Sequence, residues 1–205
     1  MIKFLKQKNN FYKGFTLIET LVALSIFTTS VLAMVLILAS SLEDTNYSKN
    51  KIIASYLAQE GIEYVRNMRD TYVLYEGANP ETPGWNAFVG KVSNCIGGAS
   101  CYFKPESIDY DDTSQPIIDT EILPCVSNIC PNLYHHASSG RYDYIMLNGV
   151  DSGFSRSITY KPDGLNSDEN SLNSDEIKIT SEVSWKKGSK TYNVIFAENL
   201  FNWTK

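Results

Sequence analysis

Hydrophobic positions are spread unevenly along this chain. No charged residue occurs between Glu19 and Glu43, and positions 21 to 42 form a nearly unbroken apolar run. As a helix those 22 residues would span about 33 Å at about 1.5 Å each. The hydrocarbon core of a bilayer is about 30 Å thick, so the run predicts a membrane span. Beyond it polarity rises while the helical period persists. Ile53, Leu57, Gly61, Tyr64, Val65 and Met68 recur at three- and four-residue steps, which predicts an amphipathic helix with one buried stripe. No proline lies between Phe15 and Pro80, so residues 15 to about 70 can form one helix of about 84 Å.

From Asp70 to about Gly140 the period is lost. Pro80, Pro83, Gly84, Gly90, Gly97, Gly98, Pro105, Pro116, Pro124 and Pro131 punctuate a stretch that reads as loops with a few short strands. The last third alternates with a period of two. Tyr142, Tyr144 and Met146 begin the pattern, and Phe154 to Tyr160 continues it. Ile177, Ile179, Ser181, Val183 and Trp185 then share one strand face. A basic turn at Lys186 to Lys190 leads to Tyr192, Val194 and Phe196, a hairpin signal. The expected fold is α+β: one long amino-terminal helix packed on a small head with an antiparallel sheet. The chain divides at 15–42 (apolar half of the helix), 43–70 (amphipathic half), 71–140 (variable, loop-rich) and 141–205 (carboxyl-terminal sheet).

Composition removes several functions. A net charge of −5 over 205 residues lacks the basic footprint of a nucleic-acid binder. The two histidines are adjacent, at His135 and His136, and cannot by themselves form a multi-histidine metal centre. No phosphate-binding glycine loop and no nucleophile–histidine spacing is present, so no enzyme is indicated. The four cysteines, Cys95, Cys101, Cys125 and Cys130, are even in number. On the exported side of a membrane they read as disulfides, with a four-sulfur zinc site as the rival. Four cysteines allow three pairings. Cys95–Cys101 and Cys125–Cys130 are favoured because short loops close at least entropic cost. The unit Leu-Asn-Ser-Asp-Glu occurs at 165–169 and again at 172–176. It reads as a duplicated solvated loop, or as a calcium site drawing on Asp163, Asp168, Asp175 and Glu176. The EF-hand spacing is absent, and no other cofactor is suggested.

The span admits three readings. Its flank carries Lys3, Lys6, Lys8 and Lys13 and no acid, which keeps the amino terminus cytoplasmic and exports the rest. A cleaved secretory signal would have an apolar core of only about 7–15 residues. A plain anchor has no use for Glu19 at the edge of the run, where an ionisable group marks function and expects a cationic partner.

Lys13-Gly14-Phe15-Thr16-Leu17-Ile18-Glu19 followed by an apolar helix resembles the type IV prepilin signal, shared by pilins and by pseudopilins of type II secretion and competence systems. The resemblance is strongest over the first 70 positions. It implies a leader at 1–14, cleavage between Gly14 and Phe15 by a membrane-embedded prepilin peptidase, and methylation of the new amino group on Phe15. Glu19 becomes the fifth mature residue and serves filament assembly. The implied partners are the membrane, the peptidase, other pilin or pseudopilin subunits and an assembly platform protein. The implied protein is a single-pass minor pilin or pseudopilin whose head is exported and can be drawn into a surface or periplasmic filament. For Glu60, Glu63, Arg66 and Arg69 the expectation is a solvated helix face, or contact with neighbouring subunits. The alternative function is a membrane-anchored exported binding or adhesion protein with a ligand-recognising head.

Overall fold

The computed structural model of the chain describes residues 14–76, 84–96, 98–104, 121–162 and 175–203. It separates into two compact units, Met1–Ser48 and Lys49–Lys205. Helix α1 runs over Leu17–Glu76, a few residues past the limit expected from the apolar period. In the first unit Phe15 and the large apolar side chains of the helix from Leu17 to Leu42, Phe27 and Leu36 among them, are exposed. The hydroxyls within this stretch are satisfied locally. Ser25 donates to the Val22 carbonyl at 2.8 Å, Ser30 to that of Phe27 at 2.8 Å and Ser40 to that of Ile37 at 2.9 Å. Such back-bonding removes most of the cost of placing hydroxyls in an apolar medium.

The second unit has its own core. The later part of α1 turns Ile62, Val65, Met68 and Tyr72 into a cluster with Trp85, Phe88, Val89 and Val92 of α2 (Gly84–Val92) and with the sheet residues Phe103, Ile158, Tyr160, Ile177, Ile179 and Leu200. A short 3-10 turn, Ser93–Cys95, follows α2. Helix α2 falls where only loops and short strands were expected. Its signal is present in the sequence, since Trp85, Phe88, Val89 and Val92 are spaced by three, one and three. The flanking Pro83, Gly84 and Gly90 mask it. Gly84 is required there, because a Cβ would lie 2.3 Å from the Tyr72 carbonyl oxygen and 2.7 Å from Val73 Cα.

The strands are β1 (Cys101–Lys104), β2 (Glu121–Pro124), β3 (Asn132–His136), β4 (Arg141–Asp143), β5 (Val150–Pro162), β6 (Glu176–Lys187) and β7 (Lys190–Phe201). They form one seven-stranded sheet whose strand pairs are all antiparallel. β5 is its axis. One edge pairs β6 from Phe154↔Trp185 to Pro162↔Ile177. The other edge takes β3 and, through Cys101↔Ile158, β1. β6 and β7 pair continuously from Glu176↔Phe201 to Lys187↔Lys190. This is the hairpin expected from sequence, closed by Gly188 and Ser189, with Gly188 at φ +60° as a two-residue turn favours. Ile177, Ile179, Ser181, Val183 and Trp185 are all buried on one face. The alternation from Tyr142 to Met146 is not a strand throughout. β4 stops at Asp143, whose Oδ1 accepts the Ile145 N–H at 2.8 Å. That side chain–backbone turn competes with the ladder, and it leaves Met146 70% exposed.

Candidate functional site

At the amino-terminal end, Gly14, Phe15 and Thr16 precede the helix. Thr16 caps it: its Oγ1 accepts the backbone N–H of Glu19 at 3.3 Å, and its carbonyl accepts those of Glu19 at 3.1 Å and Thr20 at 3.2 Å. Glu19 therefore sits in the first turn, at the positive end of the helix dipole, with its side chain exposed. Gly14 has open space around it. A Cβ there would meet nothing within 4 Å, and its φ lies outside the left-handed region. Nothing among the described residues requires glycine at this position.

In the head, three charged residues of α1, Glu60, Arg66 and Arg69, tie the helix to its own sheet. Arg156 of β5 is 2% exposed. Its Nη1 donates to the Leu57 carbonyl at 3.1 Å and to Glu60 Oε2 at 2.8 Å, and its guanidinium lies 4.6 Å from the centre of the Phe103 ring. Tyr64 stacks on Phe103 with centroids 4.2 Å apart. Burial opposes the charge of Arg156, but the Tyr144 hydroxyl and Glu60 outweigh it, so its pKa is raised. A cavity of about 420 Å³ lies beside this cluster, walled by Tyr64, Phe103, Tyr142 and Asp143. Farther along α1, Arg66 donates Nε to Glu198 Oε1 at 3.1 Å and also pairs with Glu63 at 2.7 Å. The hydrogen bonds to Glu198 raise its pKa. Arg69 donates to the Phe201 carbonyl at 3.1 Å. The reading of these charges as a solvated face holds for Glu60 and Glu63, which are exposed, and is corrected for Arg66 and Arg69, which are partly buried against the sheet. Their partners lie too far along the chain for helix periodicity to show.

The sulfurs are joined as Cys95–Cys101 and Cys125–Cys130. No free cysteine remains among the described residues, so no thiolate set is left for zinc. His136 Nε2 lies 2.8 Å from Asp143 Oδ1 and 3.1 Å from the Ile145 carbonyl, holding the turn after β4, while the His135 ring packs on Tyr142. Of the calcium candidates, Asp163 and Asp168 lie outside the described residues, as does most of the 1–14 leader. Glu176 Oε1 accepts the Asn199 amide at 2.8 Å. Among the described residues no group of three or more His, Cys, Asp or Glu side chains gathers to hold a metal.

Residues 9–40 match the family model of the prokaryotic N-terminal methylation motif. The chain carries the type IV prepilin-type signal. That signal, the long exposed apolar helix and the antiparallel head together make a pilin-like α+β architecture. No curated protein and no solved structure matches the chain. The motif is one of membrane-anchored structural subunits, and it covers the segment in which Gly14, Phe15 and Glu19 stand.

Proposed function

We propose that the chain is a minor pilin or pseudopilin, a subunit of a type IV pilus or of a type II secretion-like filament. Prepilin peptidase cuts between Gly14 and Phe15 and methylates the Phe15 amino group. The apolar half of α1 then holds the subunit in the membrane, with the amino terminus cytoplasmic and the head exported, until an assembly platform draws it into a filament. Helix packing there replaces lipid as the apolar surroundings, so the transfer is nearly neutral in hydrophobic terms. The observation that carries this reading is the conjunction at the amino-terminal end. A glycine that nothing among the described residues needs stands one residue before a methylation-motif phenylalanine, ahead of a helix whose apolar side chains from Leu17 to Leu42 are exposed. A missing side chain there suits an enzyme that must approach the backbone closely.

Glu19 has the second role. A carboxylate costs about 2.5–3.5 kcal/mol near mid-membrane and less at its edge, and pairing with the amino group of a neighbouring Phe15 offsets part of that. Glu19→Ala should leave cleavage largely intact and impair incorporation into filaments. Loss of the helix cap cannot account for such a defect, because the Thr16 cap uses the backbone N–H of residue 19 rather than its side chain. Normal incorporation of that variant in a pulldown of sheared filaments would contradict the role.

A further inference from the structure

The face of the sheet that alternates away from the core carries a cleft of about 510 Å³, within the size range of small-ligand sites. Its floor comes from β5 and β6, with Thr191 added by β7. Register sets Ser155 beside Ser184 and Ser157 beside Glu182, and Lys186 faces Thr191 across the hairpin. All six line the cleft. Exposed sheet positions ordinarily favour β-branched or aromatic residues, so a serine floor in mid-sheet is not what stability selects. Ser155 spends its hydroxyl on the Cys130 carbonyl at 3.0 Å. Those of Ser157 and Ser184 bond to none of the described residues.

The wall is the Cys125–Cys130 loop, cross-linked within itself and hydrogen-bonded to the chain before β1. Ser127 and Asn128 both have positive φ, 52° and 60°, and Val126 pairs with Ile129 across them. The disulfide closes the turn, and two bonds seat it on the chain before β1: the Ser100 N–H donates to Asn128 Oδ1 at 3.2 Å, and the Cys125 N–H donates to the Ser100 carbonyl at 2.8 Å. Because the Asn128 oxygen is taken, its amide group remains as a donor at the cleft. Ile129, 75% exposed, adds an apolar surface beside it.

This lining selects by chemistry. Glu182 and Lys186 supply one charge of each sign, so neither an anion nor a cation meets a surplus of opposite charge. A wholly apolar ligand would leave the hydroxyls without partners. An extended peptide would need a free strand edge, and both edges of β5 and of β6 are already paired. A pyranose ring offers what remains: several neutral hydroxyls and one apolar face. The geometry points to a subsite for a neutral glycan on the exported face of the head, built by the serine floor and the disulfide-closed wall. It stands whether or not the chain enters a filament.

The test uses the full chain in micelles of a detergent whose headgroup is not a sugar, titrated with maltotetraose, cellotetraose and chitotetraose while backbone amide shifts are followed. The expected result is saturable shifts at residues 155–157, 182–186, 128–130 and 132 with at least one sugar. Ser184→Val and Ser157→Val each remove a hydroxyl and narrow the cleft, but they raise strand propensity. Each should weaken binding about tenfold without lowering the unfolding midpoint. Thr180→Val, on the same face but outside the cleft, should bind as the parent does. The inference is overturned if none of the three sugars shifts these amides at millimolar concentration, if both serine variants bind unchanged, or if a sulfated oligosaccharide occupies the same amides more tightly than the neutral sugars.

Discussion

The Glu60–Arg156 pair makes a prediction whose sign is set by which partner is buried. Its side chains are 51% and 3% exposed respectively, and the bond between them is 2.8 Å. Glu60→Ala strands a guanidinium in the core with the Leu57 carbonyl and the Phe103 ring for company. Removing one member of a buried pair costs about 3–5 kcal/mol. Water reaches the Glu60 side and replaces part of the lost interaction, so about 2–3 kcal/mol is expected here. Arg156→Met acts oppositely. It removes the buried charge and the Nε that has no acceptor, keeps an apolar stem against Phe103, and leaves Glu60 in solvent. That change should fall within about 1 kcal/mol of the parent. At about 2–4 °C per kcal/mol for a chain of this size, Glu60→Ala should melt about 5–10 °C lower and Arg156→Met nearly unchanged. Adding Arg156→Met to Glu60→Ala should restore most of the loss. The buried Trp85 and Trp185 give a fluorescence signal for denaturant titrations of all four proteins. A larger loss from Arg156→Met than from Glu60→Ala would refute the reasoning, because it would mean that the pair is held by contacts of the arginine stem rather than by compensation of its charge.

Two further predictions concern the head core. Gly84→Ala should cost about 1–3 kcal/mol by overpacking, since the atoms its Cβ meets belong to the α1 backbone and cannot rotate away; an unchanged denaturation midpoint would remove that reason for glycine. Tyr160 is fully buried, its hydroxyl has no partner among the described residues, and burial raises its pKa. A tyrosine held neutral by the fold releases its proton first in the unfolded chain, so stability should fall as pH rises above about 10, by about 1.4 kcal/mol per pH unit for this group. Tyr160→Phe should be neutral or stabilising at pH 7 and should flatten that alkaline decline; an unchanged slope between pH 10 and 11 would count against it.

What could be read from sequence was local. The apolar run, the stripe from Ile53 to Met68 and the β6–β7 hairpin each repeat with a period that depends on neighbours a few positions away. The two disulfides follow from loop closure over equally short spans. The misses have physical causes. Pro83, Gly84 and Gly90 hide a helix whose apolar spacing is intact. A single side chain–backbone bond at Asp143 ends a strand that alternation alone would continue. The link between helix and sheet is the least legible part. Glu60 meets Arg156 from 96 positions away, and Arg66 meets Glu198 from 132. No periodicity encodes such a pairing; only the antiparallel sheet brings β5 and β7 to the helix face. The glycan cleft is of the same kind, because its floor is a product of strand register.

The prepilin reading is tested most directly at the amino terminus of the mature protein. Sequencing and intact-mass measurement of the chain from cells with an active prepilin peptidase should find a start at Phe15 carrying an N-methyl group. A start near Leu42, or an intact Met1, would contradict it.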